Sequence, residues 1–407
     1  MERRWHGMGL GMALLALGLV VLPPDLARGA PSHQQAPGTF LDTFDGRPDV
    51  PTPWHGDGWD VTVHSRDKGT FDELEPVAAH HGPNCSAPPD VHVTSSYEDA
   101  VFQCNGHIMT SIAAGGYGVI YLTPNQLVDF SAGEAVVRFD LSTLRTSPRD
   151  WVDIWLTPYE DHLQLPLDDW LPDLTGEPRR SVHLRMDSQP DLSIFKAAIF
   201  RDTTVEEPKV NTWRGYESVL TPSAVRRDPV ELRISRTSIK LGMPEYNFWW
   251  IDTKIADLGW DHAVLQLGHH SYNPSKCDGR CQPNTWHWDN VSIAPAVPFT
   301  IVQPEDRRWV NDDLGASVTF TAPAPPDSHL RFVAIGSGIE VSFDGGASWQ
   351  PAQPRPVRAS HDLGGTFLSY WTPMPAGATS VKLRGEGWRD GPWRARDFTI
   401  WSLTPPE

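Results

Sequence analysis

The chain has 407 residues, with 34 basic and 51 acidic side chains and a formal charge of −17 at pH 7. This acidic balance argues against nucleic-acid binding, because contact with phosphates needs basic patches. Hydrophobic residues make up 39% of the chain, which is enough for a packed core and excludes wholesale disorder. The 33 Gly and 38 Pro favour short strands and turns over long helices.

The N-terminus has the features of a secretory signal peptide. Arg3 and Arg4 give a basic start, Leu10–Leu22 is nearly all apolar, and Ala27–Gly29 has the small-x-small pattern of a cleavage site. A membrane anchor is the competing interpretation, but the apolar run is shorter than the roughly 20 residues that a span needs. We therefore predict a signal peptide over residues 1–29 and a secreted, extracellular protein without a membrane span after cleavage.

The rest of the chain divides into two β-rich regions. We predict one domain over residues 40–294, a linker at residues 294–298 and a smaller domain over residues 299–404. Apolar and polar residues alternate with period 2 in many stretches, as in half-buried strands. Examples are Ala135–Leu141, Asp150–Leu156, Ser181–Asp187, Glu231–Ser235, Leu330–Ile335, Ile339–Phe343 and Asp397–Trp401. The pattern predicts an all-β protein, with a large jelly-roll sandwich followed by a small sandwich.

Four cysteines in an exported chain suggest two disulfides. Cys277 and Cys281 flank a short turn that a bridge would close, which leaves Cys85 and Cys104 as the second pair. All three pairings remain open from the sequence.

A metal site is the alternative interpretation of the second cysteine pair. Zinc would take Cys277, Cys281 and His287, together with His269 or His270, although this spacing matches no known finger.

Two acidic groups suggest calcium binding. They are Asp168–Asp169 and Asn311–Asp313, and a solvated turn is the competing interpretation, because neither has the spacing of a known calcium loop. We predict no required cofactor, with structural calcium as the one metal that these groups suggest.

Asp150–Leu156 carries the most informative alternation. Its apolar face suits the core, and its other face presents Trp151, Asp153 and Trp155. Indole rings stack on the C–H face of a sugar, and a carboxylate accepts hydrogen bonds from hydroxyls. This face therefore predicts an exposed aromatic stripe in a ligand groove, against the alternative of two half-buried tryptophans around a structural Asp.

Polar faces of other strands add candidates to this groove. The candidate ligand-binding residues are Trp151, Asp153, Trp155, Arg138, Arg185, Gln266 and His107. If the groove is catalytic, the candidate catalytic residues are Asp153, His183 and His270. Histidine suits proton transfer, and an arginine in the groove would neutralise the carboxylate of a uronate.

In the small region, Ser342–Trp349 resembles the Asp-box of sialidases and related β proteins. The resemblance implies a structural hairpin, in which Asp and Gly fix the turn and Trp covers it. Trp371, Trp388, Trp393 and Trp401 form either a binding patch or part of the core.

Three segments resemble the concanavalin A-like lectin/glucanase superfamily. Phe40–Gly46 with Trp54 and Trp59 resembles the first strand, Gly106–Ser111 resembles a strand after a turn, and Trp286–Ile293 resembles the closing strand. The resemblance covers roughly residues 40–295 and implies a laminin-G-like or laminarinase-like jelly roll, followed by an immunoglobulin-like or carbohydrate-binding-module-like sandwich. Because this fold hosts lectins, hydrolases and lyases, it does not decide the function.

The catalytic residues of the laminarinase-type hydrolases do not carry over. Those enzymes have the pattern E-x-D-x-E or E-x-D-x-x-E at this strand, and aligning Asp153 with the central Asp places Trp151 and Trp155 where the two glutamates belong. In a shifted register Asp150 and Asp153 lie on opposite faces of a regular strand, and only a bulge would bring both into the groove. Retaining hydrolysis needs two carboxyls about 5–5.5 Å apart.

These observations favour a secreted protein that binds a polysaccharide or oligosaccharide in a concave aromatic groove. The first alternative is a glycoside hydrolase or polysaccharide lyase that acts in the same groove with non-standard catalytic residues. A structural or adhesive cell-surface protein is the second.

Overall fold

The computed structural model describes residues 38–49, 52–54, 56–66, 101–112, 117–145, 150–162, 180–187, 192–201, 204–214, 227–272, 284–313, 315–354, 368–387 and 392–404. The predicted signal peptide, the Asp168–Asp169 group, Cys85, Cys277 and Cys281 lie outside these ranges. Regular structure in the described residues is almost entirely β-strand. No helix in them has the length and apolar character needed to cross a membrane.

A large sandwich is built from eighteen strands of the described residues. In chain order they are β1 (Phe40–Asp42), β2 (Thr52–Pro53), β3 (Trp59–Arg66), β4 (Val101–Cys104), β5 (His107–Ile112), β6 (Tyr117–Pro124), β7 (Gln126–Asp129), β8 (Ala135–Arg145), β9 (Asp150–Thr157), β10 (Ser181–Asp187), β11 (Leu192–Arg201), β12 (Thr204–Arg214), β13 (Asp228–Ser235), β14 (Ser238–Met243), β15 (Phe248–Lys254), β16 (His262–Tyr272), β17 (Asn284–Ala294) and β18 (Ala296–Pro298). One helical turn, α1 (Tyr159–His162), follows β9, and a 3-10 turn (Pro244–Tyr246) joins β14 to β15.

These strands form two antiparallel sheets. The back sheet has the order β15-β14-β13-β8-β17-β5-β4-β2, with β1 also paired to β17. The front sheet has the order β12-β11-β10-β9-β16-β6-β3, with β7 paired to both β16 and β18.

The main core lies between the front and back sheets, and the alternation in the sequence explains it. Successive residues of a strand point to opposite faces, so every second side chain enters the layer between the sheets. On β9 these are Val152, Ile154 and Leu156, and on β8 they are Val137, Phe139 and Leu141, all with 0% exposure. Each such side chain contributes roughly 1.5–3 kcal/mol by leaving water. The predicted all-β sandwich is confirmed.

Two of the segments that resemble the superfamily, at β1 and β17, pair with each other. Phe40 lies opposite Ile293, so β1 runs beside the closing strand β17. Asn105 and Gly106 connect β4 to β5 with φ angles of 53° and 76°. Asn and Gly are the residues that tolerate this left-handed conformation in a tight hairpin, so the dipeptide fixes the register of β5.

A smaller sandwich contains nine strands of the described residues. They are β19 (Thr300–Val302), β20 (Ser317–Thr319), β21 (Ser328–Ile335), β22 (Ser337–Ser342), β23 (Gln350–Pro351), β24 (Gln353–Pro354), β25 (Leu368–Met374), β26 (Ser380–Glu386) and β27 (Arg394–Ser402). They form a five-stranded sheet, β19-β27-β21-β25-β24, and a four-stranded sheet, β20-β26-β22-β23. Leu330, Phe332, Val341, Leu383 and Ile400 are part of a separate core for this sandwich. The assignment of residues 299–404 to a separate domain stays a prediction.

The linker predicted at residues 294–298 is wrong. Ala296–Pro298 is strand β18, which pairs with β7 of the front sheet, Ala296 lying opposite Val128. Proline is accepted here because β18 pairs on one side only, so the missing N–H interrupts no ladder. Phe299 alone separates β18 from β19, and its side chain is fully buried.

A buried ion pair joins the two sandwiches. Asp60 on β3 pairs with the guanidinium of Arg331 on β21, and its Oδ2 accepts a 3.0 Å hydrogen bond from Nε1 of Trp401. Thr399 also donates to Asp60 and accepts from Arg331. Burial raises the pKa of the Asp60 carboxyl, and the Arg331 guanidinium opposes that rise. Next to this network the ring of His162 stacks on Trp401 at 5.1 Å.

The turn in Ser342–Trp349 is held by local hydrogen bonds. Asp344 accepts hydrogen bonds from the hydroxyl of Ser348 at 2.5 Å, from the backbone N–H of Ser348 at 2.9 Å and from the hydroxyl of Ser342 at 2.8 Å. These bonds hold the pKa of its carboxyl well below the usual range. Trp349 donates from Nε1 to the carbonyl of Gly346 at 3.1 Å. The segment therefore acts as a fold element.

Arg331→Leu tests the contact between the sandwiches. We expect the free energy of unfolding to fall by about 3–5 kcal/mol, because the variant leaves the Asp60 carboxylate buried and unpaired. The measurement is urea unfolding at pH 7.

The matched control is Arg384→Ala, which removes an exposed partner of Glu340. An exposed pair contributes at most about 1 kcal/mol. Equal losses in the two variants would contradict a structural role for the Asp60–Arg331 pair.

Candidate functional site

The outer face of the front sheet brings together most of the residues predicted for the groove. Trp151, Asp153 and Trp155 alternate along β9 on the face away from the core. On β10, Arg185 lies opposite Asp153 and His183 opposite Trp155. Gln266 on β16 lies opposite Trp155 from the other side. We call this set the β9 cluster: Trp151, Asp153, Trp155, His183, Arg185 and Gln266.

Asp153 is the centre of the cluster and is fully buried. Each of its two carboxylate oxygens lies 3.0 Å from Nε1 of Trp151, which donates to them. Its Oδ1 also lies 2.6 Å from Nε2 of His183. A buried carboxylate needs such donors, because leaving it unpaired would cost several kcal/mol.

The aromatic rings are covered by cationic or titratable groups. His183 stacks on Trp155 with ring centroids 4.1 Å apart and planes inclined by 13°. The guanidinium carbon of Arg185 lies 4.0 Å from the ring centroid of Trp151, a cation–π contact.

The expected exposure of the aromatic stripe is wrong. Trp151 is 2% exposed and Trp155 is 5% exposed, so neither ring forms an open platform. Their order along the strand sets which face they occupy, but the side chains stacked on them decide whether that face is open. Replacing either by alanine would therefore reduce stability first, since loss of a buried aromatic ring costs about 3–5 kcal/mol.

Tyr121 and Gly268 belong to the site and were missed from the sequence. Gly268 on β16 lies between Asp153 on β9 and Tyr121 on β6. A Cβ atom at Gly268 would meet Cε1 of Tyr121 at 2.8 Å and Cβ of Asp153 at 3.1 Å. The glycine thus lets the Tyr121 ring lie close to Asp153. An isolated glycine inside a strand is a signal of such a close approach.

Buried polar atoms without partners lie at the end of β9. Trp155 Nε1, Thr157 Oγ1 and Ser181 Oγ have no hydrogen-bond partner in the part of the chain that is described. Thr157 and Ser181 directly adjoin the paired residues Leu156 and Val182, so they lie side by side on the outer face. Their residues are 5%, 0% and 1% exposed, respectively. Buried polar groups are normally satisfied, so these three mark a place where a water or a ligand oxygen would bind.

Arg138 does not belong to the β9 cluster. It lies on β8 of the back sheet, where its Nε donates to Glu231 at 2.6 Å. Its alternation within β8 was predicted, but the sheet that β8 joins depends on pairing with β13 and β17, which are distant in sequence.

His107 is also on the back sheet, and its predicted place in the groove is wrong. Its Nε2 lies 2.9 Å from Nδ1 of His287 on β17, and the two residues are 4% and 2% exposed. Burial lowers the pKa of His107 to about 4 and that of His287 well below its usual range, and the nearby guanidinium of Arg227 adds to both effects.

The contacts of this histidine pair favour one tautomer of each imidazole. A hydrogen bond to the backbone of Asn105 raises the pKa of His107, so the imidazole donates it, and with Nε2 facing His287 the donor is Nδ1. Nε2 of neutral His107 is then an acceptor, and His287 donates to it from Nδ1. Nε2 of His287 is left as a buried acceptor with no partner among the described residues.

The residues of the zinc alternative are not all brought together. His269 points into the core, where its Nδ1 lies 3.0 Å from Oγ1 of Thr110, whereas His287 is on the outer face of the back sheet. The His270 side chain, like Cys277 and Cys281, is outside the described part. Within that part, no group of three or more His, Cys, Asp or Glu side chains could hold a metal ion.

Cys104 is buried and disulfide-bonded. Its partner lies outside the described residues, so the pairing with Cys85 stays a prediction.

The remaining candidates take structural positions. Asp312, from the second predicted calcium group, accepts a 3.0 Å hydrogen bond from Nε1 of Trp393. Trp371, Trp393 and Trp401 are 7%, 1% and 1% exposed, so the binding-patch interpretation is wrong for these three, and Trp388 is not among the described residues.

Comparison with known proteins gives similarity of structure alone. Neither a protein-family model nor a curated protein matches the chain. The solved structure of LamAcat from Zobellia galactanivorans is 11% identical with a TM-score of 0.40, over 63% of this chain and 96% of that one. A Bacteroides ovatus glycoside hydrolase family 16 protein in complex with a mixed-linkage glucan product is 11% identical with a TM-score of 0.38, over 62% and 99%.

The Bacillus licheniformis β-glucanase is 10% identical with a TM-score of 0.33, over 64% of this chain and 99% of that one. These similarities concern the fold, and the activities in the names are those proteins' own.

The histidine pair predicts a pH dependence of stability. The unfolded chain binds protons at both imidazoles below about pH 6.5, whereas in the folded chain the pKa of His107 is lowered to about 4 and that of His287 lies well below its usual range. The free energy of unfolding therefore falls as the pH is lowered through this window, by up to about 1.4 kcal/mol per pH unit for each imidazole. Urea unfolding between pH 7 and pH 4.5 measures the slope.

His287→Gln removes one of these groups, so we expect its slope to be shallower over the same window. His262→Gln is the control, because that side chain is 42% exposed. Identical slopes for the wild type and His287→Gln would contradict the assignment.

Proposed function

We propose that the protein binds a glycan on the outer face of the front sheet. The observation that carries this proposal is the group of three buried polar atoms without partners, Trp155 Nε1, Thr157 Oγ1 and Ser181 Oγ. They adjoin the Asp153–His183 pair on the same face. A ligand with several oxygen atoms would satisfy them together.

Carbohydrate is the ligand class that suits these groups best. The indole N–H donates, while the two hydroxyls both donate and accept, which matches the mixed character of sugar hydroxyls. The side chains of His183, Arg185, Lys196 and Phe200 lie half-buried on the same face, and a ligand would approach the buried atoms past them. Most pockets for small ligands likewise combine an apolar lining with a few placed polar groups.

Binding is favoured over hydrolysis by the residues beside Asp153. The outer-face positions two before and two after it hold Trp151 and Trp155, which carry no carboxyl group. Retaining and inverting hydrolysis both use a pair of carboxyl groups. Among the residues whose side chains are described, β9 has one carboxyl group on this face, that of Asp153.

A second candidate function is an enzyme that acts on a polysaccharide. The supporting observation is the 2.6 Å contact between Asp153 and His183, with Tyr121 close by. A carboxylate that orients an imidazole is a common arrangement for general acid–base chemistry.

We infer that binding takes place outside the cell. The predicted signal peptide over residues 1–29 supports this, and so does the disulfide at Cys104, since disulfides persist in oxidising compartments.

Ser181→Ala and Thr157→Val test the binding site. Each removes one hydroxyl and almost no volume, so we expect about threefold to tenfold weaker binding from the loss of one hydrogen bond to the ligand. Affinity electrophoresis against a panel of neutral and acidic polysaccharides identifies the ligand, and titration with its oligosaccharide gives the dissociation constants.

The control is Ser142→Ala, which removes an equally buried and unpartnered hydroxyl from the back sheet. The proposal is wrong if no polysaccharide in the panel is bound, or if all three variants bind as the wild type does.

Incubation with the same panel separates binding from catalysis. We expect no soluble fragments by mass spectrometry, because Asp153 is the one carboxyl group on the outer face of β9 among the residues whose side chains are described. Fragments that disappear in Asp153→Asn and His183→Ala would establish the enzyme instead, and unsaturated ends would identify elimination.

A further inference from the structure

A second groove lies on the outer face of the back sheet, on the opposite side of the large sandwich from the β9 cluster. Its volume is about 640 Å³, within the range of ligand sites. We call it the back groove. The lining residues that matter here are Leu41, Arg138, Asp140, Glu231, Asn290 and Ser292.

A row of outward residues crosses the back sheet at this groove. Leu41 pairs with Ser292, Ser292 with Arg138, and Arg138 with Glu231. The pairing continues from Glu231 to Gly242 and from Gly242 to Trp249. The row thus runs over six neighbouring strands, from β1 to β15, which is about 24 Å at the usual strand spacing. Such a surface suits an extended ligand that lies across the strands.

Charged side chains lie at the centre of the row. Glu231 is 3% exposed and accepts from Nε of both Arg138 and Arg233, at 2.6 and 2.5 Å. The two guanidinium groups hold the pKa of the Glu231 carboxyl below its usual range. Arg138 is bound through Nε while 60% of its side chain stays exposed, and it lines the groove. The arginine is therefore positioned before any ligand arrives.

Apolar surfaces stand at both ends of the row. Leu41 is 45% exposed at one end. At the other end lies the half-buried ring of Trp249, opposite Gly242. Arg233 and Lys240 lie 5.6 and 5.8 Å from the centroid of this ring. A Cβ atom at Gly242 would clash with the backbone carbonyl of Phe248 and would meet Cα of Trp249 at 2.7 Å, so the glycine lets the backbone of β15 approach closely.

We propose that the back groove binds a neutral oligosaccharide. Asp140 and Asn290 supply a carboxylate and an amide, joined by a 2.7 Å hydrogen bond, and Arg138 supplies a fork of donors. An anionic ligand would meet Asp140 and Glu245, and a cationic one would meet Arg138 and Arg233. A neutral, polyhydroxylated chain can lie beside side chains of both charges. Its C–H faces fit Leu41, which lines the groove, and Trp249, which lies beyond the groove at the end of the row. This site is independent of the one on the front sheet.

Fluorine NMR of protein labelled with 5-fluorotryptophan tests the back groove. Trp249→Phe assigns the signal of Trp249, and Trp155→Phe assigns that of the front sheet. Neutral and uronate-containing oligosaccharides are then titrated separately. We expect one neutral oligosaccharide to shift the Trp249 signal saturably, whatever the Trp155 signal does.

Arg138→Ala should weaken that binding about tenfold or more, because hydrogen bonds from a charged fork to the ligand are lost. Arg138→Lys keeps the charge but loses the forked guanidinium group, so it should also bind the oligosaccharide more weakly. This variant replaces Arg138→Ala in the test if the alanine variant fails to fold. Arg236→Ala is the matched control, since Arg236 forms an exposed pair with Asp257 outside the groove and should bind as the wild type does.

Three results would overturn the proposal. They are a Trp249 signal that no neutral oligosaccharide shifts, a response to uronate oligosaccharides alone, and wild-type affinity in the folded Arg138 variants. Failure of binding at the front sheet would show in the Trp155 signal and would leave this result unaffected.

Discussion

The apolar layer between the front and back sheets determines which side chains remain for function. Each strand gives every second residue to this layer, as β9 gives Val152 and Ile154. The alternate residues are therefore presented on two outer faces that point in opposite directions. One face carries the Asp153 cluster, and the other carries the row through Arg138 and Glu231. A single packing requirement thus produces two chemically distinct surfaces on one sandwich.

The two surfaces stabilise their buried carboxylates in different ways. Asp153 is buried and is held by neutral or weakly basic donors from Trp151 and His183, in a cluster whose rings are covered. Glu231 is equally buried but is held by two arginines, one of which remains largely exposed. The first arrangement favours a rigid, enclosed site, whereas the second leaves donors at the surface.

Local alternation in the sequence predicts the face of a residue within its strand, but not the sheet that the strand joins. The faces of Trp151, Asp153 and Trp155 were predicted correctly for this reason. Arg138 and His107 were placed on the wrong side, because β8 and β5 take their sheet from the distant closing strand β17. Exposure was misjudged as well, since it depends on stacking between strands. The glycines at positions 242 and 268 are a usable signal, because a strand keeps glycine where a neighbouring backbone or ring must come close.

The short connection between the sandwiches has a mechanical consequence. Strand β18 is part of the front sheet, strand β19 is part of the small sandwich, and one buried residue, Phe299, lies between them. A hinge needs solvent-exposed backbone that can rotate freely, and this junction has its backbone N–H bonded to the carbonyl of Asn125. Tension on the small sandwich would therefore pass directly into the hydrogen bonds of β7, as shear along the strand. Under force the two sandwiches should consequently unfold as one unit, because no flexible linker between them would extend first.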